Sequence, residues 1–188
     1  MGISLVKGQK VDLTKGNSGL KHLVVGLGWD VNRGNGSAFD LDAIALCLDS
    51  NGKLANSRDM VFYGNLTHNS GAIKHTGDNL TGVGEGVDEA ISVDLDAVPQ
   101  DIDKIVFDVS IYQANHRRQN FGQVSNAFIQ VVDKDTNEEL LKYDLSEDFS
   151  VETSVILGEI YRHNGEWKFS AKGDGVNGEL DKVRDMYL

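Results

Sequence analysis

A single cysteine, Cys47, stands in this chain of 188 residues. That excludes an internal disulfide and any zinc site built from several thiolates, and it matches a reducing compartment. Cys47 sits in the apolar run 43–48, where the expected role is a small buried hydrophobe; a reactive thiol would need a nearby cation that this segment lacks. Proline is as rare, Pro99 being the only one, and there is no low-complexity linker, basic arm or repeat at a fixed period. No stretch approaches the roughly 20 apolar residues of a membrane span, and the first residues carry no charged lead into an apolar core. Gly2 is followed at position 6 by Val6 rather than the Ser or Thr of a myristoylation signal. The expectation is therefore a cytoplasmic protein without direct membrane insertion. Positive charge is short too: 18 Lys and Arg face 29 Asp and Glu, for a net charge of -11. Such a balance repels phosphate backbones and anionic headgroups over about a Debye length, so nucleic acid is not an expected partner, whereas cations are.

What the chain has is short β-branched or alternating apolar runs bounded by Gly, Asn and Asp, the pattern of strands. Strands are expected at 22–27, 43–49, 60–63, 90–95, 104–112, 127–132, 139–144, 155–162 and 166–171. In 104–112 the alternation is plainest: Ile105, Phe107, Val109 and Ile111 share one face, Val106, Asp108 and Ser110 the other. Asp49-Ser50-Asn51-Gly52 and His163-Asn164-Gly165 carry hairpin-turn chemistry, because Asn-Gly tolerates positive φ. Short helices are expected at 114–122 and at 179–188, where Leu180, Val183 and Tyr187 form a stripe for docking on a sheet. The apolar fraction of 40% supports one well-buried core, hence a single domain over 1–188. With many strands and few helices between them, the fold class is mainly β: a β-sandwich of two packed, largely antiparallel sheets with a few short helices.

The most unusual stretch is 77–89, with four glycines and four carboxylates in thirteen residues. Two carboxylates about 5 Å apart repel by roughly 3 kcal/mol at an effective dielectric near 20, so gathering several calls for protonation or a cation. Glycines let the backbone turn carbonyl oxygens inward, which suits a hard divalent ion needing six to eight oxygens. Asp78 and Glu89 have the spacing of the first and twelfth EF-hand positions, but Leu80, Gly82 and Val83 break the pattern and no amphipathic helices flank it. The lysine and Ser/Thr of a phosphate-binding loop are also absent. A metal-free solvated acidic loop is the plain alternative. Elsewhere, Asp40 and Asp42 point to one side of a strand entrance and Asp30 follows an earlier strand, so each could bring a carboxylate to the same edge. Asp133-Lys134-Asp135-Thr136-Asn137 reads as a polar hairpin turn. The five histidines show no metal-ligand pair at helical spacing and no nucleophile elbow accompanies the serines, so no enzymatic role is expected.

These residues resemble the TerD-like tellurium-resistance and stress-response family. The resemblance is carried by Ile3-Ser4-Leu5 with Lys7-Gly8-Gln9, Val25-Gly26-Leu27-Gly28-Trp29-Asp30, Phe39-Asp40-Leu41-Asp42-Ala43, the glycine-rich segment, Phe107, and Trp167-Lys168-Phe169 with Gly173-Asp174-Gly175. It implies a calcium-binding β-sandwich without catalysis of its own, binding two Ca²⁺ ions and working with other stress or tellurium-resistance proteins, in a cytosolic or membrane-associated complex. The ligand set it implies is Asp30, Asp40, Asp42, Asp78, Asn79, Asp88 and Glu89, with Glu85 and loop carbonyls in addition. Where the family runs Gly-Asp-Asp-Glu this chain has Gly86-Val87-Asp88-Glu89, one oxygen donor fewer, which implies a weaker site or a water in the gap. Relatives that bind cAMP imply an alternative, a small-ligand or nucleotide sensor. An enzyme acting on tellurite is disfavoured by the lone cysteine and by repulsion of an oxyanion.

Overall fold

A computed structural model of the chain describes residues 2–30, 36–76, 87–144 and 149–188. In chain order the strands are β1 (Ile3–Ser4), β2 (Lys10–Asp12), β3 (His22–Gly28), β4 (Leu41–Leu48), β5 (Met60–Val61), β6 (Ile73–His75), β7 (Glu89–Asp94), β8 (Lys104–Ile111), β9 (Phe128–Asp133), β10 (Glu138–Asp144), β11 (Ser154–His163) and β12 (Glu166–Val176). They form two six-stranded sheets, ordered β1-β10-β9-β3-β7-β6 and β2-β12-β11-β8-β4-β5. Neighbours are antiparallel except β1 and β10. The expected β-sandwich is thus the fold. All nine expected strands are present. The additional ones, β1, β2 and β6, are two or three residues long, too short to display an alternation.

Turn chemistry set the hairpins as read. Asn164 and Gly165 adopt φ of 53° and 77°, and Gly52 adopts 73°. Asp49 closes its own turn by accepting from Asn51 N–H at 2.8 Å. The helix expected at 114–122 is shorter. It is a four-residue α1 (Ala114–Arg117), and it stops where Arg118 takes a left-handed φ of 55°; a 3₁₀ turn, Phe121–Gln123, follows.

Between the sheets, Leu23, Val25, Leu27, Ile91, Val93, Ile129 and Val131 pack against Ala43, Ala45, Cys47 and the inward face of β8, Ile105, Phe107, Val109 and Ile111. In β11 the inward series runs Val155, Leu157, Ile160, offset by a bulge between Ile156 and Gly158. Glycine is required there, since a Cβ on Gly158 would lie 2.6 Å from Phe169 Cζ and 2.7 Å from Ser170 O.

The outer face of the second sheet is also buried. Ile44, Leu46, Leu48, Val106 and Ile156 form a second apolar cluster, roofed by Val183 of α2 (Leu180–Asp185) with Leu180 and Tyr187 beside it. All eight residues of β4 are consequently buried, which is why 43–48 is continuously apolar rather than alternating. A six-residue helix has negligible stability alone, so α2 persists by this docking. Among the described residues no helix is long and apolar enough to cross a membrane.

Candidate functional site

One end of the sandwich gathers the C-terminus of β3 and the N-termini of β4 and β7, as the pairings Leu27 with Glu89 and Leu41 with Ile111 locate them. Trp29 stitches this end together. Its backbone N–H donates to Asp88 Oδ2 at 3.0 Å, and its indole Nε1–H donates across to Phe39 O of the other sheet's entry at 3.2 Å. The neighbours of those two bonds in sequence, Asp30 and Asp40, are expected ligands, so the stitch delivers three of the carboxylates to one end.

Each is held differently. Asp30 is exposed, and its Oδ2 accepts from the Asn126 amide at 2.8 Å. Asp88 is exposed only in part, and burial pushes its carboxyl above the ordinary range; the Trp29 N–H opposes that shift and the nearby Glu89 charge adds to it. Asp40 is buried, with Oδ2 3.4 Å from the Arg117 guanidinium. The chain direction also matters: Asp42 follows strand alternation to the outer face of the second sheet, in line with Ile44, where it lines a cavity with Ser110 and Tyr112.

Glu89 lies inside the sandwich. Its side chain is 0% exposed, as is that of His75, whose Nε2 is 3.2 Å from Glu89 Oε2. The same oxygen accepts from Ala43 N–H at 2.8 Å, so the carboxylate bridges β7 of one sheet to β4 of the other. Burying a carboxylate is tolerable only with such compensation. Asp78, Asn79 and Glu85 lie outside the described residues. Among the described residues, no group of three or more His, Cys, Asp or Glu side chains is arranged to hold a metal ion.

The donor chemistry of Asp30 and Asp88 suits a hard cation: two carboxylates at one end, each oriented by a neutral N–H group. Val87, the residue that departs from the family loop, has a packing role. It covers Gly26, where an added Cβ would meet both of its Cγ atoms at 2.8 Å.

Sequence reasoning did not pair the histidines with carboxylates. Besides His75 with Glu89, His68 Nε2 lies 3.2 Å from Asp59 Oδ1, and His22 Nδ1 lies 2.8 Å from Asp135 Oδ2. The first was legible in part: alternation places Glu89 in phase with the apolar Ile91 and Val93, and His75 with Ile73. Cys47 is buried as expected, and burial pushes its thiol far above the ordinary range.

Comparison with known proteins gives the family context. The model of the TerD domain matches residues 1–187. General stress protein 16U of Bacillus subtilis (strain 168) is 57% identical over 188 residues, covering 100% of this chain and 97% of its own. Tellurium resistance protein TerD of Serratia marcescens is 52% identical over 187 residues, covering 100% of this chain and 97% of its own. Among solved structures, that of a homologue of telluride resistance protein (TerD) from Streptomyces coelicolor A3(2) is similar with a TM-score of 0.77 and 25% identity, over 90% of this chain and 98% of that one.

Proposed function

Because the chain belongs to the TerD domain family, we propose that it serves tellurium resistance and the general stress response as a calcium-binding protein without catalysis of its own. The names of its relatives supply the physiological setting. The observation that carries the calcium reading is the pair Asp30 and Asp88, brought to one end of the sandwich by Trp29 and oriented by neutral donors. In this reading the residues between β6 and β7 in the sequence contribute Asp78, Asn79 and Glu85, while Glu89 and His75 secure the wall behind.

Bound calcium supplies positive charge that lets these carboxylates stay ionised together. Asp88 gains most, because its burial and the neighbouring Glu89 disfavour the charged form in the metal-free protein. The role of this chain's residues is positional: Trp29 fixes Asp88, Asn126 fixes Asp30, and Arg117 balances the charge of Asp40. The resulting rigid end is the surface offered to other stress or tellurium-resistance proteins in the cytoplasm. A redox role against tellurite is disfavoured by the burial and raised thiol of Cys47.

Isothermal titration with Ca²⁺ and Mg²⁺ on wild type, Asp78→Ala and Asp88→Asn tests the reading. Calcium should bind wild type and lose at least about tenfold in each variant, with magnesium weaker throughout because it demands compact octahedral geometry. Equal calcium binding by all three proteins would refute it.

A further inference from the structure

At the opposite end of β4 from Asp30 and Asp88, the chain leaving β4 meets the turns ahead of β5, β6 and β8 around a cavity of about 470 Å³. Three of its lining residues, Asp59, His68 and Ser70, are joined in series. Asp59 Oδ1 lies 3.2 Å from His68 Nε2, and His68 Nδ1 lies 2.8 Å from Ser70 Oγ. Asp59 is 9% and His68 5% exposed, whereas Ser70 is open to solvent. We propose that Ser70 is a nucleophilic acceptor for the acyl group of a small, uncharged, activated ester, with His68 as its general base and Asp59 positioning His68.

Neighbouring bonds set the direction of each proton in the series. Ser70 N–H donates to His68 Nδ1 at 3.1 Å, and a backbone amide can only donate, so Nδ1 is the bare nitrogen and the neutral ring carries its proton on Nε2, toward Asp59. Ala72 N–H donates to Ser70 Oγ at 3.1 Å, which leaves the hydroxyl proton for Nδ1. Asp59 is fixed in turn, its Oδ2 accepting from Asn56 N–H at 3.0 Å and from the Asn56 amide at 2.9 Å. Nucleophile, base and orienting carboxylate are roles that geometry, not chain order, defines. In the reaction Ser70 Oγ bonds to the acyl carbon and its proton passes to His68 Nδ1. The bond from that carbon to the leaving oxygen breaks, and the leaving group departs with the proton. Gly71 N–H is already given to His68 O at 2.8 Å and Ala72 N–H to Ser70 Oγ, so neither serves a tetrahedral oxyanion. The ester must therefore carry a good leaving group, and the acyl group stays on Ser70 as a single modification rather than being turned over. Asp49 and Asp101 line the same cavity and repel anionic donors such as acyl phosphates, while Ala55, Pro99 and Ile102 give the acyl group an apolar wall.

This modification is independent of calcium at Asp30 and Asp88. The test is p-nitrophenyl acetate, with nitrophenol release followed by absorbance and the acetyl group located by peptide mass mapping. Wild type should release about one equivalent in a burst and carry the acetyl group on Ser70. Ser70 should react at least about a hundredfold faster than Ser18 and Ser57, which are also exposed, a comparison made within the wild-type protein. Asp59→Asn should slow the burst at least about tenfold. His68→Ala should lose it and regain part on addition of imidazole, which a histidine serving only the turn would not show. Acetyl spread evenly over Ser18, Ser57 and Ser70, or a Ser70 rate unmoved by both Asp59→Asn and His68→Ala, would overturn the proposal.

Discussion

Replacing Asp108 by asparagine removes a carboxyl that the fold keeps neutral. Asp108 is 1% exposed in β8, between Ile44 and Ile156 on the neighbouring strands and under the roof formed by α2. Its Oδ2 lies 2.9 Å from Ser110 Oγ, Ser110 Oγ lies 2.6 Å from Ser154 Oγ, and Ser154 Oγ donates to Gly178 O at 2.7 Å, just ahead of α2. Each hydroxyl has one proton. If Asp108 is protonated, the chain runs in one direction, from Asp108 through Ser110 and Ser154 to Gly178, and every contact is a hydrogen bond. If Asp108 is ionised, Ser110 must turn to it, and Ser154 cannot serve both Ser110 and Gly178. Among the described residues Asp108 Oδ1 has no hydrogen-bond partner, which a neutral acid bears more easily than a carboxylate. Burial accordingly pushes this carboxyl from an ordinary value of 3.8 up to about 8, against the opposing bond from Ser110. The Tyr187 phenol beyond α2 is itself pushed up to about 12 by burial, with the Asp108 charge contributing.

The sign follows from proton counting. Between the unfolded and folded values the native state holds a proton that the unfolded chain has released, so stability falls as pH rises from about 4 to about 8 and is flat beyond. The full span corresponds to roughly 5 kcal/mol, with about 2 kcal/mol a conservative floor. Asp108→Asn cannot ionise and lacks this dependence. Urea unfolding of both proteins at about pH 5 and about pH 8.5 should show the variant gaining at least about 2 kcal/mol relative to wild type at the higher pH. Amide exchange in α2 should quicken with pH beyond the intrinsic rate in wild type only. Parallel pH profiles for the two proteins would refute the reasoning.

Three further outcomes can be checked by stability or reactivity. Glu89→Ala, measured in chelator, should lose about 3–5 kcal/mol in chemical unfolding by stranding His75 and the Ala43 N–H, while Glu89→Gln should lose less because an amide oxygen still accepts from Ala43; a loss below about 1 kcal/mol for alanine would deny the clamp. Thiol reagents should modify Cys47 only at the rate of unfolding, since the group is buried and its thiol is pushed far up; fast labelling of native protein would contradict this. Gly158→Ala should cost about 1–3 kcal/mol in urea unfolding, because its Cβ meets Phe169 and the Ser170 carbonyl; an unchanged midpoint would show that the bulge relaxes without cost.

Local pattern carried most of the fold and less of the site. The alternation in 104–112 located the inward residues of β8 correctly, yet its other face, Val106, Asp108 and Ser110, is buried as well. Nothing in a two-residue period reveals that α2, over 70 residues later, returns to cover that face. The same periodicity separates neighbouring acids. Asp88 and Glu89 are adjacent in an acidic segment, but on a strand they point to opposite sides, and Glu89 falls in phase with Ile91 and Val93 and enters the interior. Asp42 likewise falls in phase with Ile44 and Leu46 and so turns to the outer face of the second sheet. The Trp29 stitch was not legible at all, because it depends on a contact between two sheets. Composition reported an appetite for cations; only the pairing of the strands says which carboxylates share a place.

The central claim is that carboxylates held at the β3, β4 and β7 end bind calcium, and thermal unfolding of chelator-stripped protein tests it most directly. At calcium a hundredfold above its dissociation constant, a single site adds about 2.7 kcal/mol, a rise in Tm of roughly 5–10 °C for a chain of this size. Wild type should show that rise and the double variant Asp30→Asn/Asp88→Asn should lose most of it. An unchanged wild-type Tm, or an equal rise in the double variant, would contradict the account.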